Sequence, residues 1–415
     1  MVIAETLDRS DPWPARLATA QTFKNLAPLF TVDAVEPFFI FLIQDRALGD
    51  HEAAVRKEML SAGSRVIELH GAICLASLIG IFETNLTASA SSKTDDFIKE
   101  AVVILFGRLA SHLDASDSRL PGIVDRLVEA LKTPSEQVQI AVSECLSPLV
   151  PLIQLRLPDL IGYLFHELFD SPKYSQRRGA AYGLAGTIKG IGIGGMKAHN
   201  VMARLRAASE EKKRYEPRQG IMFVFETFST ALGRLFEPYI TFVLPLLLAS
   251  FGDSSTDVRE ATQDAARVIM GNLSGYGVKI ILPTLLEGLD EKQWRSKKGS
   301  IELLGMMAYC SPRQLSISLP IIIPRLTGVL TDSHAQVRAA ANKSLKQFGE
   351  VISNPEIQVL TPVLLKALVD PVKITNALSS LLKTSFTHYI DHSSLALVSC
   401  IILLSSVFHP LELLL

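Results

Sequence analysis

Between Ser171 and Gly220 the chain carries eleven Lys or Arg residues against Glu210, Glu211 and Glu216. The 415-residue chain has a formal net charge of −1, so this surplus of eight sits on a remainder that sums to −9. Cations concentrated on an acidic body are chemistry for holding an anion, and spaced Lys and Arg neutralise phosphates without reading sequence. They fall into three groups: Lys173, Arg177 and Arg178; Lys189, Lys197, Arg204 and Arg206; and Lys212, Lys213, Arg214 and Arg218. Tyr174, Tyr182 and Tyr215 interleave with them and offer faces on which unpaired bases stack. A second cluster, Arg295, Lys297 and Lys298 beside Trp294, completes the set of candidate RNA contacts. The competing reading is a solvated face with internal pairs, Glu210 or Glu211 with Lys213 or Arg214, and an Arg held over the Trp294 indole for stability alone.

Other chemistries find less support. Gly190, Gly192 and Gly195 satisfy GxGxxG formally, but they follow a helical stretch (Arg178 to Lys189) rather than a strand, and no GK[ST] follows. The nucleotide-binding contexts are therefore absent, and the glycines read as a flexible bend or as a close helix contact through Gly179, Gly183 and Gly186. Cys74, Cys145, Cys310 and Cys400 form no CxxC or Cys/His cluster, which points to buried free thiols rather than disulfides or zinc. The nine histidines are scattered and no Ser or Cys has a nucleophile-elbow context, so the expectation is a non-enzyme that needs no metal or cofactor. The start of the chain lacks a signal-length apolar core. The apolar stretch from Leu395 is broken by His409 and Pro410 before it reaches the roughly 20 residues that span a bilayer, so no membrane role is expected.

The elements that must position these residues are helices. The composition, 48% hydrophobic but only 7% aromatic, is rich in aliphatic helix formers. Five stretches of helical length fill the first part of the chain (Ala15 to Phe30, Pro37 to Gln44, Glu52 to Glu68, Cys74 to Phe82, Phe97 to His112), with Asp50 and the Thr94–Asp95 pair as N-cap candidates. Further on, Pro245, Pro283, Pro324 and Pro362 recur every 38 to 41 residues, with weaker copies at Pro121 and Pro158. Each unit reads as a helix with Pro in its first turn, a polar joint, and a second helix with one apolar face, such as Val337, Ala340, Ala341, Leu345 and Phe348. Such pairs cannot bury their faces alone and must stack. The expected fold is all-α, an elongated α-solenoid of helix pairs. Its segments are N-terminal helical repeats (1–120), further repeats (121–170), a basic, glycine-containing insertion or irregular repeat (171–220), regular repeats (221–394) and an atypical apolar tail (395–415). The six-residue spacings Asp253/Arg259 and Asp332/Arg338 follow the HEAT pattern and read as structural ladder residues, the Asp at the interhelical turn meeting an Arg from the next helix or the neighbouring repeat.

Long stretches, among them DPWPARLATAQTFKNLAPLF, RRGAAYGLAGTIKG, EEKKRYEPRQG, DEKQWRSKKGSIELLGMMAYC and DSHAQVRAAANKSLKQFGEVI, resemble the central part of the general control nonderepressible translational activator family. The resemblance covers about residues 10 to 398 and extends to the HEAT domain of translation elongation factor three. It implies a cytosolic, ribosome-associated HEAT scaffold that supports activation of the kinase acting on initiation factor two alpha, together with an ABC-type ATPase co-activator. It also implies that the kinase-binding region lies beyond this chain, which reads as a fragment. The alternative is a protein-only, transport-receptor-like adaptor without RNA contact.

Overall fold

The computed structural model describes residues 12–87, 93–310 and 328–351, with Ser318, Ile321, Ile322, Arg325 and Leu326 between. Pro324, Pro362 and the tail from Leu395 lie outside the described residues. Within them every regular element is helical: α1 (Trp13–Leu26), α2 (Val32–Ile43), α3 (Ala53–His70), α4 (Leu75–Thr87), α5 (Lys93–Ala110), α6 (Leu120–Ala130), α7 (Glu136–Leu149), α8 (Leu157–Asp170), α9 (Tyr174–Ile191), α10 (Gly195–Ala198), α11 (Val201–Ser209), α12 (Glu216–Leu232), α13 (Ile240–Phe251), α14 (Thr256–Asn272), α15 (Gly275–Glu287), α16 (Trp294–Cys310) and α17 (Ala335–Val351). The expected all-α fold of HEAT-type helix pairs is what the chain adopts.

The chain divides into two units, residues 1–227 and 228–415, the change falling inside α12. In the first unit the odd-numbered helices α1, α3, α5, α7 and α9 pack each on the next, and α2, α4, α6 and α8 pair with them. Helical periodicity makes this possible: α3 buries Val55, Met59, Ala62 and Val66, three or four residues apart, with Ile67 beside them, and leaves its other face wet. In the second unit α13/α14 and α15/α16 are such pairs, and α14, α16 and α17 form the corresponding row. There α17 buries Val337, Ala340, Ala341 and Phe348 as expected, but Leu345 is only half-buried. Ser344 lies inside instead and donates to the Ile301 carbonyl at 2.8 Å.

Several local expectations need correction. Pro121 and Pro158 do open α6 and α8, but Pro245 and Pro283 lie inside α13 and α15. Short 3-10 turns precede the Pro245 helix, so the chain is already winding before the proline arrives. Proline removes one intrahelical bond there without starting the helix. Thr94 and Asp95 fall within the first turn of α5 rather than ahead of it. Asp50 caps no helix directly: its carboxylate accepts at 2.8 Å the N–H of Glu52, the residue just before α3 begins.

The ladder is built differently from a carboxylate–guanidinium pair. Arg259 Nη1 donates to the backbone carbonyls of Asp253 (2.7 Å) and Ser254 (2.8 Å), while the Asp253 carboxylate accepts the Ser255 N–H. Arg338 treats Asp332 and Ser333 in the same way, at 2.7 and 2.9 Å. The same joint recurs at Arg56 on Asp50 and His51, with the same six-residue Asp-to-Arg spacing, and at Arg177 on Ser171 and Pro172, where Ser stands in place of the Asp. In a further copy Gln139, 1% exposed, replaces the Arg and donates to Leu131, Thr133 and the Ser175 carbonyl of the following pair. In each of these joints the carbonyls are thus satisfied by a donor placed on the second helix, as buried backbone requires.

Candidate functional site

The basic segment does not form one continuous patch. It contains the whole of α9, an 18-residue helix packed against α7 and α8. Four glycines make that packing possible. An added Cβ would lie 1.8 Å from the Leu131 carbonyl oxygen at Gly179, 2.2 Å from the Ser143 oxygen at Gly186, and 2.4 Å from the Ser147 oxygen at Gly190, while at Gly183 it would meet Leu131 and Leu164. The expected close helix contact is therefore present, and one glycine of the nominal GxGxxG is part of it. Gly192 ends α9 at φ +87°, a conformation open to glycine. The four-residue α10 and nine-residue α11 then occupy the place of the first helix of a pair, which elsewhere in this unit has 11 to 14 residues.

This arrangement sorts the candidate contacts. Arg177 is a correction: it is 2% exposed, donates to two carbonyls and to Gln219 Oε1, and lies over the Tyr215 ring. Its guanidinium is consumed inside the fold. Arg178 is held between Glu136 (2.6 Å) and Glu226 (3.1 Å) and also donates to the Tyr174 hydroxyl. Glu136 in turn accepts the Tyr182 hydroxyl at 2.7 Å, and that bond, ahead of Arg178, holds its carboxyl below the usual range. Tyr182 is buried and Tyr215 half-buried, so of the three tyrosines Tyr174 alone has a largely exposed ring, packed edge-on to Phe223.

The remaining cations gather at two places. Lys173 stands exposed in the α8–α9 turn, and Lys212, Lys213 and Arg214 stand exposed in the α11–α12 turn. Arg214 pairs with Asp170 at 2.9 Å and so brings these two turns side by side, depressing the Asp170 pKa with help from His166. Arg218 folds the second turn by donating to the Glu211 and Arg214 carbonyls, at 2.6 and 2.7 Å, and Glu211 accepts the Lys213 N–H. The expected pairing of Glu211 with its neighbours is thus a backbone bond to Lys213, while Arg214 turns to Asp170. The second place is the far end of α9, roughly 25 Å along an 18-residue helix, where exposed Lys189 and Lys197 lie; exposed Arg204 and Arg206 follow on α11. Arg204 rests over the Phe165 ring at 4.3 Å.

The second cluster is largely internal. Lys297 pairs with Asp332 at 2.8 Å and Lys298 with Glu302 at 3.5 Å. Trp294 stacks on His334 with centroids 3.9 Å apart, and the Arg295 guanidinium covers it at 4.6 Å. Arg295 alone of the three cations stays exposed. Lys297, and then the His334 N–H, lowers the Asp332 pKa from its ordinary 3.8. A carboxylate depressed by folding contributes stability above its ordinary pKa and loses it as pH falls through the lower folded value. Lys297→Met should therefore cost less than about 1 kcal/mol at neutral pH, the pair being partly exposed. Acid-unfolding curves should show this difference closing as Asp332 protonates, and a constant difference down to pH 2 would contradict the assignment.

Among the described residues no group of three His, Cys, Asp or Glu is placed to hold a metal ion, and no single helix is long and apolar enough to cross a membrane. Cys145 is fully buried and burial pushes its thiol up to about 12, so it is an inert core residue.

Two family models match the chain: the HEAT repeats of the stalled ribosome sensor GCN1 over residues 2–111, and the EF3 N-terminal HEAT repeat over residues 177–345. Over 393 residues, 94% of its length, the chain is 47% identical to the Homo sapiens protein named "Stalled ribosome sensor GCN1". The resemblance is to GCN1, along nearly the whole chain. The Saccharomyces cerevisiae "eIF-2-alpha kinase activator GCN1" is 46% identical over 97% of the chain. Elongation factor 3 of Phytophthora infestans is 30% identical over 39% of the chain and 16% of its own length. The chain spans about 15% of the length of these GCN1 proteins.

Proposed function

We propose that this chain is a ribosome-facing HEAT segment of GCN1 type, a cytoplasmic scaffold that regulates translation and supports activation of the kinase acting on initiation factor two alpha. The observation that carries this reading is the identity of nearly half of its residues with proteins named as a stalled ribosome sensor and a kinase activator. The contact is made by the paired turns carrying Lys173, Lys212, Lys213 and Arg214, with Lys189, Lys197, Arg204, Arg206 and Arg295 as further phosphate contacts. Their exposure and fixed backbone support it. Arg178, Arg218, Lys297 and Lys298 position these elements. The ABC-type ATPase co-activator is a partner of the same scaffold, and the kinase engages a region beyond this chain.

The variant K173E/K212E/K213E tests the contact, because none of these side chains is buried in the core. Its ribosome cosedimentation should fall about tenfold or more, since reversing three phosphate-contacting charges removes their counterion release and adds repulsion. Its circular dichroism should match that of the wild type. Undiminished cosedimentation removes these turns from the interface.

A further inference from the structure

We propose that Ser209 is a phosphorylation site for an arginine-directed serine/threonine kinase, and that its phosphate switches off the anion contact of the adjoining turn. Ser209 ends α11, and the residues leading to it read Arg204-Leu205-Arg206-Ala207-Ala208. Guanidinium groups three and five residues before a serine suit a kinase whose cleft carries carboxylates at those two positions, since each makes a charge-assisted pair there. Both arginines are exposed and, among the described residues, neither is paired with a carboxylate of this chain. Ser111 provides an internal contrast. Arg108 stands three residues before it, but that guanidinium is paired with Glu144 at 2.9 Å, and the residue five before it is the buried Phe106.

The fold leaves this serine reachable. Val201 and Leu205 alone anchor α11 in the core, and from Arg206 through Glu216 no residue is buried. The helix ends on long backbone bonds, the Glu210 N–H to Ala207 and the Glu211 N–H to Ala208, both 3.3 Å. Its last turn therefore unwinds into an extended strand without exposing apolar core, the low-stability opening that an enzyme acting on a folded chain requires. Ser209 Oγ gives up one exposed bond in the process, its donation to the Arg206 carbonyl at 2.6 Å. In the transfer, Oγ bonds to the γ-phosphorus of MgATP as the bond to the departing ADP oxygen breaks, and the hydroxyl proton goes to the kinase's catalytic base. Residues 204–214 carry Arg204, Arg206, Lys212, Lys213 and Arg214 against Glu210 and Glu211, a surplus of three. A phosphoserine brings about −1.5 to −2 and removes most of that surplus. It also sits at the C-terminal end of a helix, where the dipole disfavours an anion, so it loosens the turn that holds Lys212 and Lys213. The site stands on this local chemistry, while its effect rests on the ribosome reading.

Incubating the full chain with MgATP and protein kinase B, an arginine-directed kinase, tests the site by phosphopeptide mass spectrometry. Ser209 should be labelled and Ser111 should not. Arg206→Gln and Arg204→Gln should each slow the labelling about threefold or more, the scale of one lost charge-assisted pair. The site is overturned if Ser209 stays unlabelled, or if both Gln variants are labelled at the wild-type rate. The labelled chain should then cosediment with ribosomes about tenfold more weakly than the unlabelled chain. Ser209→Ala, treated with the kinase in the same way, should keep wild-type cosedimentation. Equal binding of the labelled and unlabelled chains, or an equal loss in treated Ser209→Ala, overturns the switch. If neither form of the wild type cosediments, the ribosome reading fails and takes the switch with it, whereas the labelling decides the site by itself.

Discussion

Gly179→Ala should melt the first unit about 8 °C lower than the wild type, a loss of about 3 kcal/mol for a unit of this size. An alanine in the middle of a helix ordinarily stabilises it by up to about 1 kcal/mol over glycine. Here the added Cβ would lie 1.8 Å from the Leu131 carbonyl oxygen. That oxygen also accepts from Gln139, which ties it to the joint between α6 and α7. The backbone cannot swing aside without breaking that joint, so α9 must withdraw from α7 and open a well-packed interface. Gly162→Ala provides the contrast: it lies in α8, with nothing within 4 Å of the added Cβ. It should be neutral or slightly stabilising. Equal melting temperatures for the two variants would show that α9 does not pack as described.

Arg177→Met should cost about 3 kcal/mol, the second large loss, because truncating one partner strands the others in the interior. The Ser171 and Pro172 carbonyls and the Gln219 amide oxygen lose their donor together. Arg177→Lys should recover less than half of this, since one ammonium cannot reproduce the forked geometry that serves three acceptors. Thermal unfolding of the two variants gives the comparison, and a melting temperature within 1 °C of wild type for Arg177→Met would contradict the ladder. A charge reversal at Arg177 would abolish binding by unfolding the joint, so it reports nothing about the interface, whereas reversals at Lys212 and Lys213 do.

The division between Arg177 and its neighbours shows where the sequence was readable. Proline spacing and apolar faces were enough for the helix pairs, because a 3.6-residue period and a repeat of about 40 residues are written in side chains. The Asp253/Arg259 and Asp332/Arg338 spacings marked real joints, but the acceptors are backbone carbonyls, which leave no trace in sequence. Ser171/Arg177 and Thr133/Gln139 make the same joint without the Asp, and in one case without the charge, and so escaped notice. For the same reason Arg177 read as one cation among eleven. The pairing of Arg214 with Asp170, which gathers the basic turns, joins residues 44 apart across a shortened helix whose length only the fold reveals.

Cosedimentation of the chain with salt-washed ribosomes across a salt series tests the central claim most directly. If the exposed turns hold RNA phosphates, about four neutralised phosphates should make affinity fall roughly a hundredfold between 50 and 200 mM salt, and K173E/K212E/K213E should flatten that dependence. Binding that stays constant across the series, with the variant indistinguishable from the wild type, would contradict a phosphate contact and point to a protein-only adaptor.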